Sequence, residues 1–219
     1  MSELTENLQS ITNELRQTFS DKDSAREKAL PLCRQAIRHS AQAIRSVHRQ
    51  EFDQAKKLLE SAHSLLGEAK EALAMHNDLS HAAFIRDAQK EFAESVITLA
   101  LVAGKQFPDP AQLDVDPAAY LNGLGEAVGE LRRYLLDSMR KDDLSRGEEL
   151  LEAMDEIYSA LVTMDFPDAI TGGLRRTTDM VRGVLERTRS DLTLGIRQKD
   201  LENRLNNLDK NSHPVDDTP

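Results

Sequence analysis

The chain has no tryptophan, and aromatic residues make up only 4% of its 219 positions. It has one cysteine, Cys33, which excludes an internal disulfide framework and a cysteine-based zinc site and suits a reducing compartment. Cys33 stands among apolar residues at helical spacing, where a buried structural thiol is expected rather than a nucleophile. No run approaches the ~18 consecutive apolar residues that a membrane-spanning helix needs, and no charged start leads into an apolar segment. A glycine-rich phosphate loop, a Gly-x-Ser-x-Gly elbow and a Cys/His nucleophile arrangement are all missing. Positive charge is in deficit: the formal net charge is −10, which excludes a chain-wide basic coat for nucleic acid. A polyanion would have to meet a local basic surface or a metal. The expectation is a soluble, cytoplasmic protein that does not touch membranes.

What the chain does have is Ala, Leu, Glu and Arg, with 30% charged residues and no strand-like alternation. Its length allows one sizeable core. Leu4, Leu8, Ile11, Leu15 and Phe19 fall at helical spacing, and residues 20–24 form at most a kink before the pattern resumes from Ala25. Pro31, inside that resumed pattern, either bends the helix or marks its first turn. A second helix spans Glu51 to Met75, a third about Ser80 to Gly104, and a proline- and aspartate-rich loop covers 106–116. The fourth opens behind Asp116-Pro117, a cap residue and a first-turn proline, and ends near Lys141. A fifth runs to about Met164, a sixth over roughly 168–190, and a last one from Ser190 to Leu208. The reading is all-α: a single bundle of six to seven helices over 1–208, with a disordered polar tail at 209–219.

Two pairs of carboxylates carry chemistry. Glu126 and Glu130, four apart, stack on one flank of the fourth helix, where like charges weaken a helix by a few tenths of a kcal/mol. Glu91 lies in the apolar line of the third helix with Phe84, Ala88 and Leu99, and Glu94 lies one turn along on the adjoining flank. A carboxylate in an apolar stripe is costly unless it is paired, protonated or bound to metal. If the two helices pack side by side, four oxygen donors converge, a set that suits Mg²⁺ or Mn²⁺. A di-iron bundle would need Glu-x-x-His on two helices, and Glu60-Ser61-Ala62-His63 stands alone. Arg34, Arg38, Arg45 and Arg49 lie within roughly 60° of one another on a helix wheel, a row that either grips phosphates or pairs with acidic neighbours.

The segment Tyr120-Leu121-x-Gly123-x-x-Glu126-x-x-Gly129-Glu130-Leu131-x-Arg133, continuing to Ser138 and Asp143, resembles the signature of the translin/Trax family. Upstream, Gln89-Lys90-Glu91-Phe92-Ala93-Glu94-Ser95 resembles the Trax segment Gln-Glu-Tyr-Val-Glu-Ala, with the two glutamates in register and one extra residue after the glutamine. The helix order matches over about 3–205. Trax has Asp where this chain has Glu126, one methylene longer, which keeps the ligand type and could retune metal geometry. Without the long insertion that eukaryotic Trax has before the fourth helix, and with no basic N-terminal extension expected, the chain looks like a compact prokaryotic or archaeal version.

The resemblance implies a translin-like fold and a Mg²⁺- or Mn²⁺-dependent endoribonuclease cutting single-stranded RNA inside a homo-oligomeric, often octameric, shell. Glu91, Glu94, Glu126 and Glu130 fall on the catalytic and metal-binding positions. Arg34, Arg38, Arg45, Arg49, Arg86, Lys90 and Arg133 are the candidates for phosphate contacts. The competing expectations are a translin-like protein that binds single-stranded RNA or DNA without cutting it, and a purely structural helical oligomer.

Overall fold

Small and mid-sized apolar residues recurring every three or four positions favour long helices packed at close range. The computed structural model is built that way and describes residues 3–212. Its long helices are α1 (Glu3–His48), α2 (Phe52–Leu73), α4 (Ala83–Val102), α6 (Pro117–Met139), α7 (Gly147–Val162) and α9 (Leu174–Ser212). Three four-residue turns of helix lie between them: α3 (Asn77–Ser80), α5 (Pro110–Leu113) and α8 (Asp168–Thr171). Among the described residues there is no strand, and no helix is long and apolar enough to cross a membrane.

Helix α1 and α2 pack along a seam of small residues. Ala25, Ala29, Cys33, Ala36, Ser40, Ala43 and Val47 are buried on α1, and Ala55, Leu59, Ala62, Leu66, Ala69 and Leu73 on α2. From Ala29 on α1 and throughout the α2 set the steps alternate between four and three, the seven-residue repeat of a coiled coil, and the alanines let the two backbones approach. Gln50, in the left-handed region at φ 62°, turns the chain between them. Helix α4 lies across α1 and α2, and α6 lies against α4, α7 and α9.

Asp116 caps α6 as expected, accepting hydrogen bonds from the backbone N–H of Ala118 and Ala119 at 2.8 and 3.4 Å. Leu124, Ala127, Val128, Leu131 and Leu135 form the buried stripe of α6. Tyr120 is half-buried and donates its hydroxyl to the Pro108 carbonyl at 2.8 Å.

One expected boundary, at Ser190, is absent, and two points left open in α1 are settled. Helix α1 runs unbroken through residues 20–24, where Gln17 donates to Asp21 one turn on at 2.9 Å. Pro31 sits inside it on an exposed position, so it neither starts the helix nor forces a core group into strain. Helix α9 passes through Ser190 without interruption, because Thr188 is buried and Leu192 is anchored against Gly147. Arg132 of α6 fixes this stretch further, donating to Asp191 at 2.7 Å and to Thr188 at 3.1 Å. The helix reaches Ser212, past the expected end at Leu208, and the rest of the expected tail lies outside the described residues.

Candidate metal centre and nucleic-acid interface

The contact between α4 and α6 rests on a missing side chain. A Cβ placed on Gly123 would meet the Lys90 carbonyl oxygen at 2.7 Å, and Ala93 Cβ and the Glu94 nitrogen each at 2.9 Å. With no Cβ there, the two backbones touch, and the glutamates on either side of the contact are drawn together. One carboxylate oxygen from each of Glu91, Glu94 and Glu126 lies within 4.8 Å of the other two.

Burial differs from the expectation. Glu94 is the buried carboxylate, at 9% exposure, while Glu91 is half-buried. Helix α4 is covered by α1, α2 and α6 together, so its buried face is wider than one apolar line and takes in the flank where Glu94 stands.

Crowding shows in the protonation of these groups. Burial, then the charges of Glu126, Glu91 and Glu130, push the Glu94 carboxyl up to about 8. Burial also raises Glu91, with Glu126 and Asp87 adding to it and Lys90 opposing. Lys90 supplies the compensating charge: its ammonium donates to Glu126 at 2.7 Å and lies 3.8 Å from Glu91. Burial works against that charge, but the hydrogen bond and field of Glu126 outweigh it and hold Lys90 above its ordinary range.

Glu130 does not join the three. Its carboxylate meets His48 Nε2 at 2.5 Å, and Arg133 lies 3.7 Å away. His48, from the last turn of α1, is 7% exposed through its side chain, and its Nδ1 has no hydrogen-bond partner. Sequence reasoning missed this residue. No spacing rule links position 48 to position 130, and only the packing of both α1 and α6 against α4 brings them together.

The candidate phosphate contacts divide into groups. Arg34, Arg38, Arg45 and Arg49 are all exposed, and among the described residues none of them makes an ion pair or a side-chain hydrogen bond. Arg45 shares the last turn of α1 with His48, so that end of the row reaches the Glu130 side of the site. Arg133 is exposed beside Glu130. Arg86 and Lys90 line a cleft of about 510 Å³ between α4, α6 and the start of α9, and Glu126 lies on its edge. His63 of the lone Glu-x-x-His stacks on Phe92 with ring centres 5.6 Å apart, a packing role.

Three oxygen donors from two helices, one buried and carrying a raised carboxyl, form a set that fits a small divalent cation. Such an ion takes carboxylates and relieves the repulsion among them.

No family model matches the chain. Among curated proteins it is 29% identical over 192 residues to an uncharacterized protein of Methanocaldococcus jannaschii, covering 85% of this chain and 83% of that one. Among solved structures it is similar to AfC3PO from Archaeoglobus, at 33% identity and TM-score 0.75, covering 85% of this chain and 97% of the other. The same coverage and identity hold for AfC3PO in its complex with duplex RNA, at TM-score 0.76. Apo-NeC3PO from Nematostella shares the fold at 18% identity and TM-score 0.71, over 89% of this chain and 98% of that chain.

Proposed function

The chain belongs to the translin/Trax family, and on that premise we propose that it is a metal-dependent endoribonuclease acting on single-stranded RNA within a homo-oligomeric shell. The observation that carries this reading is the meeting of Glu91, Glu94 and Glu126, with their oxygens within 4.8 Å. A protein that only bound RNA would gain nothing from like charges gathered in a half-buried cluster. Glu91, Glu94 and Glu126 would hold Mg²⁺ or Mn²⁺, which when bound polarises a phosphodiester and acidifies a water.

The remaining groups act around that cluster. Glu130, held through Oε2 by His48, stands one helical turn from Glu126, and its other oxygen would accept a proton from the attacking water. Lys90 holds the Glu126 carboxylate in place, and with Arg86 and Arg133 it gives the approaching phosphates a positive border. Arg34, Arg38, Arg45 and Arg49 extend that border along α1. The relative bound to duplex RNA supports RNA as the ligand class.

The test is cleavage of a labelled single-stranded RNA, with the matching duplex alongside, in Mg²⁺, in EDTA and with Glu126→Ala. Cutting that needs the metal and is lost with E126A supports the nuclease. The unpaired arginines favour a second reading, a non-catalytic binder of single-stranded RNA or DNA. It requires salt-sensitive binding that survives loss of all four glutamates, with no metal-dependent cutting.

A further inference from the structure

The cleft beside Glu126 is lined by two guanidinium groups that have no ion-pair partner among the described residues. Arg86 on the α4 wall and Arg176 on the α9 wall make no ion pair or side-chain hydrogen bond among the described residues. Lys90 lies in the same cleft but is engaged by Glu126, and Asp87 is the only other carboxylate among the lining residues. Two guanidinium groups from separate helices line one cleft, neither of them paired with Asp87 or Glu126, and an anion between them would be attracted by both.

The cleft is built rather than incidental. Asn122 of α6 is buried, donates to the Ala118 and Thr171 carbonyls at 2.8 Å each, and accepts from the Thr177 hydroxyl at 2.7 Å. It ties the α8–α9 turn to α6, and so fixes Arg176 beside Thr177. Gly172 and Gly173, at φ 63° and 87°, make the turn that brings the chain back, and a Cβ at Gly173 would meet open space. Ala118, Ala119 and Met180 add an apolar stretch to the lining. At about 510 Å³ the space is of the size that takes a small ligand. Its mix of guanidinium groups, hydrogen-bonding side chains and apolar wall matches a nucleotide better than a bare anion.

We propose that this cleft seats the nucleotide next to the phosphodiester that is cut. Arg86 and Arg176 grip its phosphate from two walls, and Ala118, Ala119 and Met180 receive its sugar or base. The assignment rests on the nuclease reading for its place beside the carboxylates, but its binding role can be tested without cleavage. Arg176 is the deciding residue, because it is exposed, makes no contact the fold needs, and has a matched neighbour. Arg175 carries the same charge one position away, is also exposed, lies 3.8 Å from Asp165 and does not line the cleft.

Binding of a labelled oligouridylate is measured by fluorescence anisotropy in EDTA, over a range of salt, for the wild type, R176E and R175E. R176E is expected to weaken binding by about tenfold or more and to lower the salt slope by about one, while R175E stays within about threefold of wild type. Equal losses in the two variants would mean a general surface field and would overturn the subsite. So would an unchanged R176E, or a wild type that does not bind. Cleavage in Mg²⁺ is scored separately. Binding through Arg176 without cutting would remove the nuclease and leave the subsite. Metal-dependent cutting that R176E leaves untouched in KM would do the reverse.

Discussion

Glu94 concentrates the conflict in the site, since burial and three neighbouring carboxylates all oppose its charge. In the folded chain it holds its proton up to about pH 8, whereas an unfolded chain releases it near the ordinary value of 4.5. Below that ordinary value both states are protonated and Glu94 is neutral towards stability. As pH rises through the interval the folded state alone keeps the proton, so stability falls, and above about 8 the loss is complete and constant. In EDTA the melting temperature should therefore decline between about pH 5 and pH 8, and Glu94→Gln should flatten that decline. A wild-type profile as flat as that of E94Q would remove the argument. Added Mn²⁺ should raise the melting temperature more at pH 8 than at pH 6, because metal and proton compete for the same oxygens. Glu91→Gln and Glu126→Gln should lose most of that gain, and calorimetry in two buffers should detect proton release on binding. Glu130→Gln should keep much of the Mn²⁺ stabilisation, because Glu130 is bonded to His48 outside the cluster.

Two glycines of one helix make opposite predictions. A methyl at Gly123 would press on the backbone of Lys90 and Glu94, so G123A should destabilise the fold by about 1–3 kcal/mol and cut cleavage sharply. Beyond its own stretch of helix backbone, no described heavy atom lies within 4 Å of where a Cβ on Gly129 would stand. There the helix preference of alanine should stabilise by about 0.5–1 kcal/mol in a denaturant titration, with cleavage little changed. This contrast shows what the sequence can express. Helical periodicity located the α6 stripe, and Asp116-Pro117 located its start, because those signals are local. The meeting of Glu91, Glu94 and Glu126 was legible only as a condition on two helices lying side by side. The helix end expected at 190 is absent for a related reason, and residues 20–24 likewise leave α1 unbroken. Polar residues there looked like interruptions, but side-chain bonds one turn apart and the anchoring of Leu192 carry the helices through. His48 was invisible because its partner is eighty-two positions away.

At the scale of the molecule, the first part of α1 is unfinished. Leu8, Ile11, Leu15 and Phe19 repeat at steps of three and four and are 48–67% exposed, whereas the same helix is buried against α2 from Ala25 onward. Burying large apolar side chains contributes roughly 1.5–3 kcal/mol each, so a stripe of this kind favours a second copy of the chain as its cover. Sedimentation should show a species larger than one chain, and the melting temperature should rise with protein concentration. Replacing Leu8 and Leu15 with glutamate should shift the protein towards the monomer while leaving its helix content nearly intact by circular dichroism. A sharp monomer at every concentration for the wild type would count against the shell.

If the cluster holds a metal as proposed, the absence of a methyl group at position 123 also bears on which ions it would select. Side chains can swing to suit a larger or smaller guest, but two main chains in contact yield very little. The range open to the glutamate oxygens would then be bounded by the distance between helix axes, and discrimination by ionic radius would belong to the scaffold as well as to its ligands.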